Sequence, residues 1–172
     1  SDILNSKDYR IAKEVFSLIK KRKWSNAKTL SRKVKDKDFK NLVNWLYLKE
    51  RRNQATFNEY AEFISKNSDY PRISRLRYLA EHKILIQNSS SQTIINWFND
   101  KEPLSGVGKI KLGEAYLQSG QDDLAIDAVK NGWINAALSS GDLKYYRNKF
   151  KNILKTEDHL KRADYLAWEN KY

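Results

Sequence analysis

What most limits the shape this chain can take is the spacing of its apolar residues, which return every three to four positions along most of its length. Ile11, Val15, Leu18 and Ile19 form one stripe, and Ala27, Leu30 and Val34 the next. Phe39, Leu42, Val43 and Leu46 follow, then Phe57, Tyr60, Ala61 and Ile64. Further on come Leu76, Leu79, Ala80 and Ile84; Ala125, Ala128 and Val129; and Leu143, Tyr146, Phe150, Ile153 and Leu154. Residues three and four apart share a helix face, whereas a strand needs alternation at every second residue, and no useful run of that kind competes. Only 6 Gly and 2 Pro interrupt 172 residues, too few for the turns of an all-β sandwich. A hydrophobic content of 40% is enough for a core and argues against disorder. The spacing predicts an all-α chain of about ten helices of roughly 10–17 residues, with short connections that make sequential neighbours antiparallel.

Start and stop signals fall between the stripes. Thr56 with Glu59 reads as a capping box, each side chain satisfying an orphaned N–H of the other's backbone, and Ser139 with Asp142 has the same form. Asp38 is placed to cap a helix beginning at Phe39. Pro71 fits a first helical position, where a missing N–H costs nothing, and Gly120 fits a left-handed residue just past a helix end. Asn88 with Ser89, Ser90 and Ser91, and residues 101–108, are the loop-like stretches, both too short for a domain linker.

One segment carries a repeat pattern. Leu112-Gly113-x-x-Tyr116, then Ala125, Val129 and Gly132, falls on the tetratricopeptide spacing, where small residues let two helices of a hairpin approach. Lys109 stands where that pattern prefers Trp and Ala137 where it prefers Pro, so the repeat is degenerate. The expected architecture is a single domain spanning residues 1–172, an irregular right-handed α-solenoid of stacked helical hairpins; a closed α-bundle is the alternative.

Charge is distributed unevenly. Residues 1–52 carry 16 Lys and Arg against 6 Asp and Glu, and so hold most of the net +12. A basic face of that kind is the footprint of an anionic partner, although Lys outnumbers Arg 23 to 10, and Lys supplies a point charge rather than a bidentate fork. Within it Lys20, Lys21, Arg22 and Lys23 run directly into Trp24. An aromatic and four cations at one turn make a candidate anionic-ligand patch; the competing possibilities are a solvated basic face and a Trp that anchors the turn.

Chemistry beyond binding finds little support. Absence of Cys removes disulfides, thiolate metal ligands and a cysteine nucleophile. His82 and His159 lack a second ligand at i+3 or i+4, so no metal site is expected. Asp122 with Asp123 and Glu157 with Asp158 sit at expected helix starts, where they offset the helix dipole. Gly106-Val107-Gly108-Lys109 resembles part of a phosphate loop, but Pro103 replaces its first Gly and Ile110 its Ser or Thr. No catalytic residue and no cofactor are expected. No apolar run nears the ~20 residues of a membrane span, so no membrane insertion is expected. The 5 Trp, 10 Tyr and 6 Phe are expected mainly as spacers between helices, with Trp24 the exception.

The run Asp69-Tyr70-Pro71-Arg72-Ile73-Ser74-Arg75-Leu76-Arg77-Tyr78-Leu79-Ala80 resembles a signature in the N-terminal helical region of soluble lytic murein transglycosylases. Upstream, Lys37-Asp38-Phe39 through Trp45-Leu46-Tyr47-Leu48 and the stretch from Phe57 to Asn67 are similar to the segments that precede that signature. Downstream, Glu102-Pro103-Leu104-Ser105-Gly106, the stretch from Gly113 to Ala125 and that from Trp133 to Tyr146 are similar to those that follow. The order of these segments is more telling than any one of them.

The resemblance implies a periplasmic, superhelical U-shaped or ring-forming domain that accompanies a lysozyme-like catalytic domain of the same chain and works on peptidoglycan, with other cell-wall proteins as further partners. Enzymes of that family cleave the glycan strand to a 1,6-anhydromuramoyl product through one Glu followed by Ser. No Glu-Ser dipeptide occurs here, so the chain is expected to be the non-catalytic scaffold, with catalysis supplied beyond Tyr172. A start at Ser1 without Met, and a finish at Trp168-Glu169-Asn170-Lys171-Tyr172 inside a helical pattern, predict a processed protein or a piece of a longer one. Two other functions stay open: a tetratricopeptide-like protein-interaction module unrelated to the cell wall and, more weakly, a basic solenoid that binds nucleic acid, a partner the resemblance does not imply.

Overall fold

The computed structural model describes residues 5–50, 52–99 and 101–169. Among them the chain is all-α, with ten helices and no strand. These are α1 (Ser6–Lys20), α2 (Trp24–Ser31), α3 (Lys37–Lys49), α4 (Phe57–Lys66) and α5 (Ile73–Glu81), then α6 (Ser91–Phe98), α7 (Gly106–Gln118), α8 (Asp122–Asn135), α9 (Ser140–Lys149) and α10 (Thr156–Glu169). They fall into two compact units, divided between Ala55 and Thr56.

In the first unit α1 packs on α2, and α2 on α3. Their apolar stripes meet in a core of Ala12, Val15, Ala27, Val34, Phe39 and Val43. Asn5 starts α1, its side-chain oxygen accepting the N–H groups of Lys7 at 3.1 Å and Asp8 at 2.9 Å. The cap of α3 is Asp36, whose Oδ1 accepts the Phe39 N–H at 2.6 Å, and not Asp38, which lies in the helix's first turn. A capping carboxylate must stand on extended backbone three residues before the N–H it takes, and Asp36, at ψ 125°, does. After α3 the chain folds back: Asn53 Nδ2 donates to the Leu48 and Glu50 carbonyls, and its Oδ1 accepts the Ala55 N–H at 2.9 Å. The Gln54 N–H donates to the Tyr47 hydroxyl at 3.1 Å.

In the second unit the best-packed pair is α7 with α8. A Cβ on Gly113 would lie 2.7 Å from Val129 Cγ2, and one on Gly132 2.7 Å from the Gly106 carbonyl oxygen. Those pairings run in opposite directions along the two helices, so the hairpin is antiparallel, and the small residues of the repeat pattern are where the helices touch. Gly120 closes α7 at φ +75°, with Gln121 N–H on the Tyr116 carbonyl and Gly120 N–H on that of Leu117. Against α7 and α8 pack Tyr146, Phe150 and Leu154, around Val107, Ile110, Val129 and Trp133.

Capping follows expectation at Thr56 and Glu59, which form the reciprocal box, and at Ser139, which accepts the Asp142 N–H at 3.1 Å. Two expected boundaries move. Pro71 lies before α5 rather than in its first turn, because Arg72 takes a left-handed conformation at φ +59° and the helix starts only at Ile73. The loop expected over 101–108 ends earlier, since Ser105 caps α7 by accepting the Gly108 N–H at 2.9 Å.

Candidate anion-binding cleft

Helix α1 stops where Arg22 turns left-handed at φ +55°. Its N–H reaches the Ile19 carbonyl at 2.8 Å, and the Lys23 N–H reaches that of Leu18 at 2.9 Å. This is the closure that glycine usually supplies, made here with an arginine. The turn hands the chain straight to α2, whose N-cap, Lys23, provides no side-chain hydrogen bond. The first N–H groups of an α-helix have no partner inside it, so the start of α2 faces outward as a partial positive charge.

Beside it opens a cleft of about 770 Å³. Arg22 and Lys23 line it from the turn, Lys28 from α2, Arg32 from just past the end of α2, and Arg52 from the fold-back after α3. Among the described residues none of its lining is acidic. Trp24 packs on Tyr47 with ring centroids 5.6 Å apart, and Lys28 Nζ sits 4.3 Å from the Tyr47 ring centre. The Trp24 indole N–H is buried with no hydrogen-bond acceptor, which costs about 1–3 kcal/mol.

Of the five residues singled out by sequence, Arg22, Lys23 and Trp24 line the cleft, whereas Lys20 and Lys21 are exposed on α1 and the turn, outside its lining. Lys28, Arg32, Arg52 and Tyr47 were not anticipated. The first two carried a signal, because Trp24, Lys28 and Arg32 lie four residues apart on one helical face. Arg52 arrives only through the buried bonds of Asn53 and has no local signal.

The remaining candidates have structural work. Glu81 is fully buried and accepts N–H groups from Leu104 at 2.6 Å and Ser105 at 2.8 Å, and the Ser105 hydroxyl at 2.5 Å. It therefore occupies the start of α7, where a phosphate loop would hold its anion, and a Cβ on Gly108 would lie 2.4 Å from its Oε2. Glu114 is buried against Lys149 Nζ at 2.8 Å and the Tyr145 and Tyr146 hydroxyls at 3.2 and 3.3 Å. Burial, reinforced by Glu114, drives the Tyr146 phenol far above its ordinary pKa, and burial lowers that of Lys111. Burial also works against the Lys149 ammonium, but its bonds to Glu114 and Tyr145 outweigh it and hold its pKa up. His159 Nδ1 accepts the Trp133 indole N–H at 3.2 Å, and His82 Nδ1 donates to the Tyr78 carbonyl at 2.9 Å. Among the described residues no cluster of three or more His, Asp or Glu could hold a metal, and no helix is long and apolar enough to cross a membrane. Compared with protein-family models, curated proteins and solved structures, the chain matches none.

Proposed function

We propose that the chain is the non-catalytic helical scaffold of a periplasmic lytic murein transglycosylase, holding peptidoglycan for a lysozyme-like domain that does the cleavage. The observation that carries this reading is the Glu81 joint. The run 69–80 and the loop 102–106 resemble the family separately, and Glu81, the residue after the first, binds the backbone of the second through Leu104 and Ser105. Two stretches about twenty residues apart in sequence thus behave as one structural feature, as segments that share an origin would.

Sedimentation with purified murein sacculi tests the reading. The 172-residue chain should co-sediment at low salt and release no anhydro-muropeptides detectable by mass spectrometry. Failure to co-sediment would overturn it and leave the helical-repeat interaction module, which the close Gly113 and Gly132 packing of the α7–α8 hairpin favours.

A further inference from the structure

We infer that Lys111 is a reactive amine that captures a small aldehyde as a Schiff base. The inference goes beyond the scaffold reading and does not depend on it. Lys111 lies on α7, partly buried, with its Nζ 5.4 Å from the centre of the Tyr146 ring. Among the described residues it has neither a hydrogen bond nor an ion pair. The carboxylates that face it are engaged elsewhere. One turn along α7, Glu114 holds Lys149 Nζ at 2.8 Å and the hydroxyls of Tyr145 and Tyr146 at 3.2 and 3.3 Å. From α9, Asp142 holds the Ser139 hydroxyl at 2.7 Å. Among the described residues, then, the charged and titratable groups of this cluster are Glu114 on the amine's own helix and Asp142, Tyr145, Tyr146 and Lys149 on α9.

An ammonium group carries three N–H donors, and this one is offered the face of a phenol ring in place of an acceptor. The ring and the fields of Glu114 and Asp142 favour the charged form, but burial outweighs them and holds the amine's pKa below that of an ordinary lysine. At neutral pH a larger share of Lys111 is therefore the free, nucleophilic amine, the setting in which lysines form Schiff bases. Its lone pair adds to the aldehyde carbon while the C=O electron pair moves to oxygen. The carbinolamine then loses that oxygen as water, taking both amine hydrogens, and a C=N bond remains. Acylation is less well served. A thioester carbonyl needs donors held ready for its oxyanion, and the Tyr145, Tyr146 and Lys149 donors of the cluster are all bound to Glu114. An aldehyde is electrophilic enough to react with a free amine unaided, and partial burial of the side chain favours a small one.

Acetaldehyde with sodium cyanoborohydride tests the proposal on the whole chain, because hydride reduces each imine to a stable N-ethyl group that peptide mass spectrometry assigns to its lysine. At pH 7 Lys111 should be ethylated about fivefold or more faster than Lys144, an exposed lysine of α9. The lead should shrink as pH approaches about 10.5, where ordinary lysines also lose their protons. Lys149→Gln removes the cation that Glu114 holds and leaves that carboxylate for Lys111. Ethylation of Lys111 should then slow by about threefold or more while that of Lys144 stays level, with circular dichroism confirming that the helices persist. The rate comparison and its pH profile need no variant. Lys111 ethylated no faster than Lys144 at pH 7 would overturn the proposal, whether the amine is protonated or shielded. A lead that is the same at pH 7 and 10.5 would overturn it as well, since it would not come from a freed amine.

Discussion

The two units put their charges to opposite uses. In the second, Glu81, Glu114, Asp158 and Arg162 are all buried, and each joins one helix to another segment, Asp158 through Lys130 of α8. Arg162, for instance, donates to the carbonyls of Trp133 at 2.6 Å and Ala136 at 3.0 Å, which tether the end of α8 to α10. In the first unit Asp8 is the one buried charge among the described residues, although residues 1–52 hold most of the excess of Lys and Arg. The two helix starts make the contrast concrete. That of α7 is closed by the protein's own carboxylate, and that of α2 is left open among cations. A charge held by buried partners contributes stability, whereas an exposed one contributes little stability and a long-range field. Net charge is thus a poor guide to which charges hold the fold.

The largest effect that separates the units is expected at Glu81. Glu81→Ala leaves two backbone N–H groups without their acceptor and should cost on the order of 3 kcal/mol, with Glu81→Gln, which keeps one acceptor, in between. Arg32→Gln in the first unit should stay within about 0.5 kcal/mol of the parent. Urea denaturation followed by circular dichroism measures all three. A Glu81→Ala chain no less stable than Arg32→Gln would break the comparison.

A smaller effect is expected from alkali. The pKa values of Tyr146 and Lys149 are both raised in the folded chain, so the stability they contribute is fully present below their unfolded values, near 10, and is lost as pH rises beyond them. The pKa of Lys111 is lowered and works in the opposite sense over the same range, but the shift of Tyr146 is the larger. Stability should therefore be level from neutrality to about pH 9 and fall above about pH 10. Tyr146→Phe should cost about 1 kcal/mol at neutral pH and flatten the alkaline fall. An unchanged alkaline slope in that variant would show that the Glu114 network does not set it.

Helices were legible because their signals are local. The stripes and the Thr56–Glu59 box act within one or two turns, the Gly113, Ala125 and Gly132 spacing acts within one hairpin, and the structure keeps them. Boundaries were lost where a distant partner decides them. Nothing within four residues of Ser105 announces that Glu81, 24 residues earlier, will hold the start of α7. Asp38 alone was read as the cap of α3, and backbone geometry gives that role to Asp36, two residues earlier. For the cleft, the turn from Arg22 to Trp24 was legible as a cluster of like residues, but Arg52 is delivered by Asn53 side-chain bonds that no spacing encodes. Lys20 and Lys21 show the converse, since adjacency in sequence did not place them in the lining.

The smallest effect expected is also the one that separates stability from binding at a single residue. Arg22 holds φ +55°, a conformation that costs a side chain bearing a Cβ about 1–2 kcal/mol and glycine almost nothing. Glycine also gives the unfolded chain more freedom, which returns roughly 0.5–1 kcal/mol of that advantage. Arg22→Gly should therefore leave the chain as stable as before or more stable by up to about 1 kcal/mol, while removing one of the cations that line the cleft. Melting temperature and low-salt affinity for murein sacculi should consequently move apart, the first level or rising and the second falling. If the arginine is instead needed to hold the turn, both fall together. Affinity unchanged at raised stability would place Arg22 outside the binding surface and leave the cleft to Lys23, Lys28, Arg32 and Arg52.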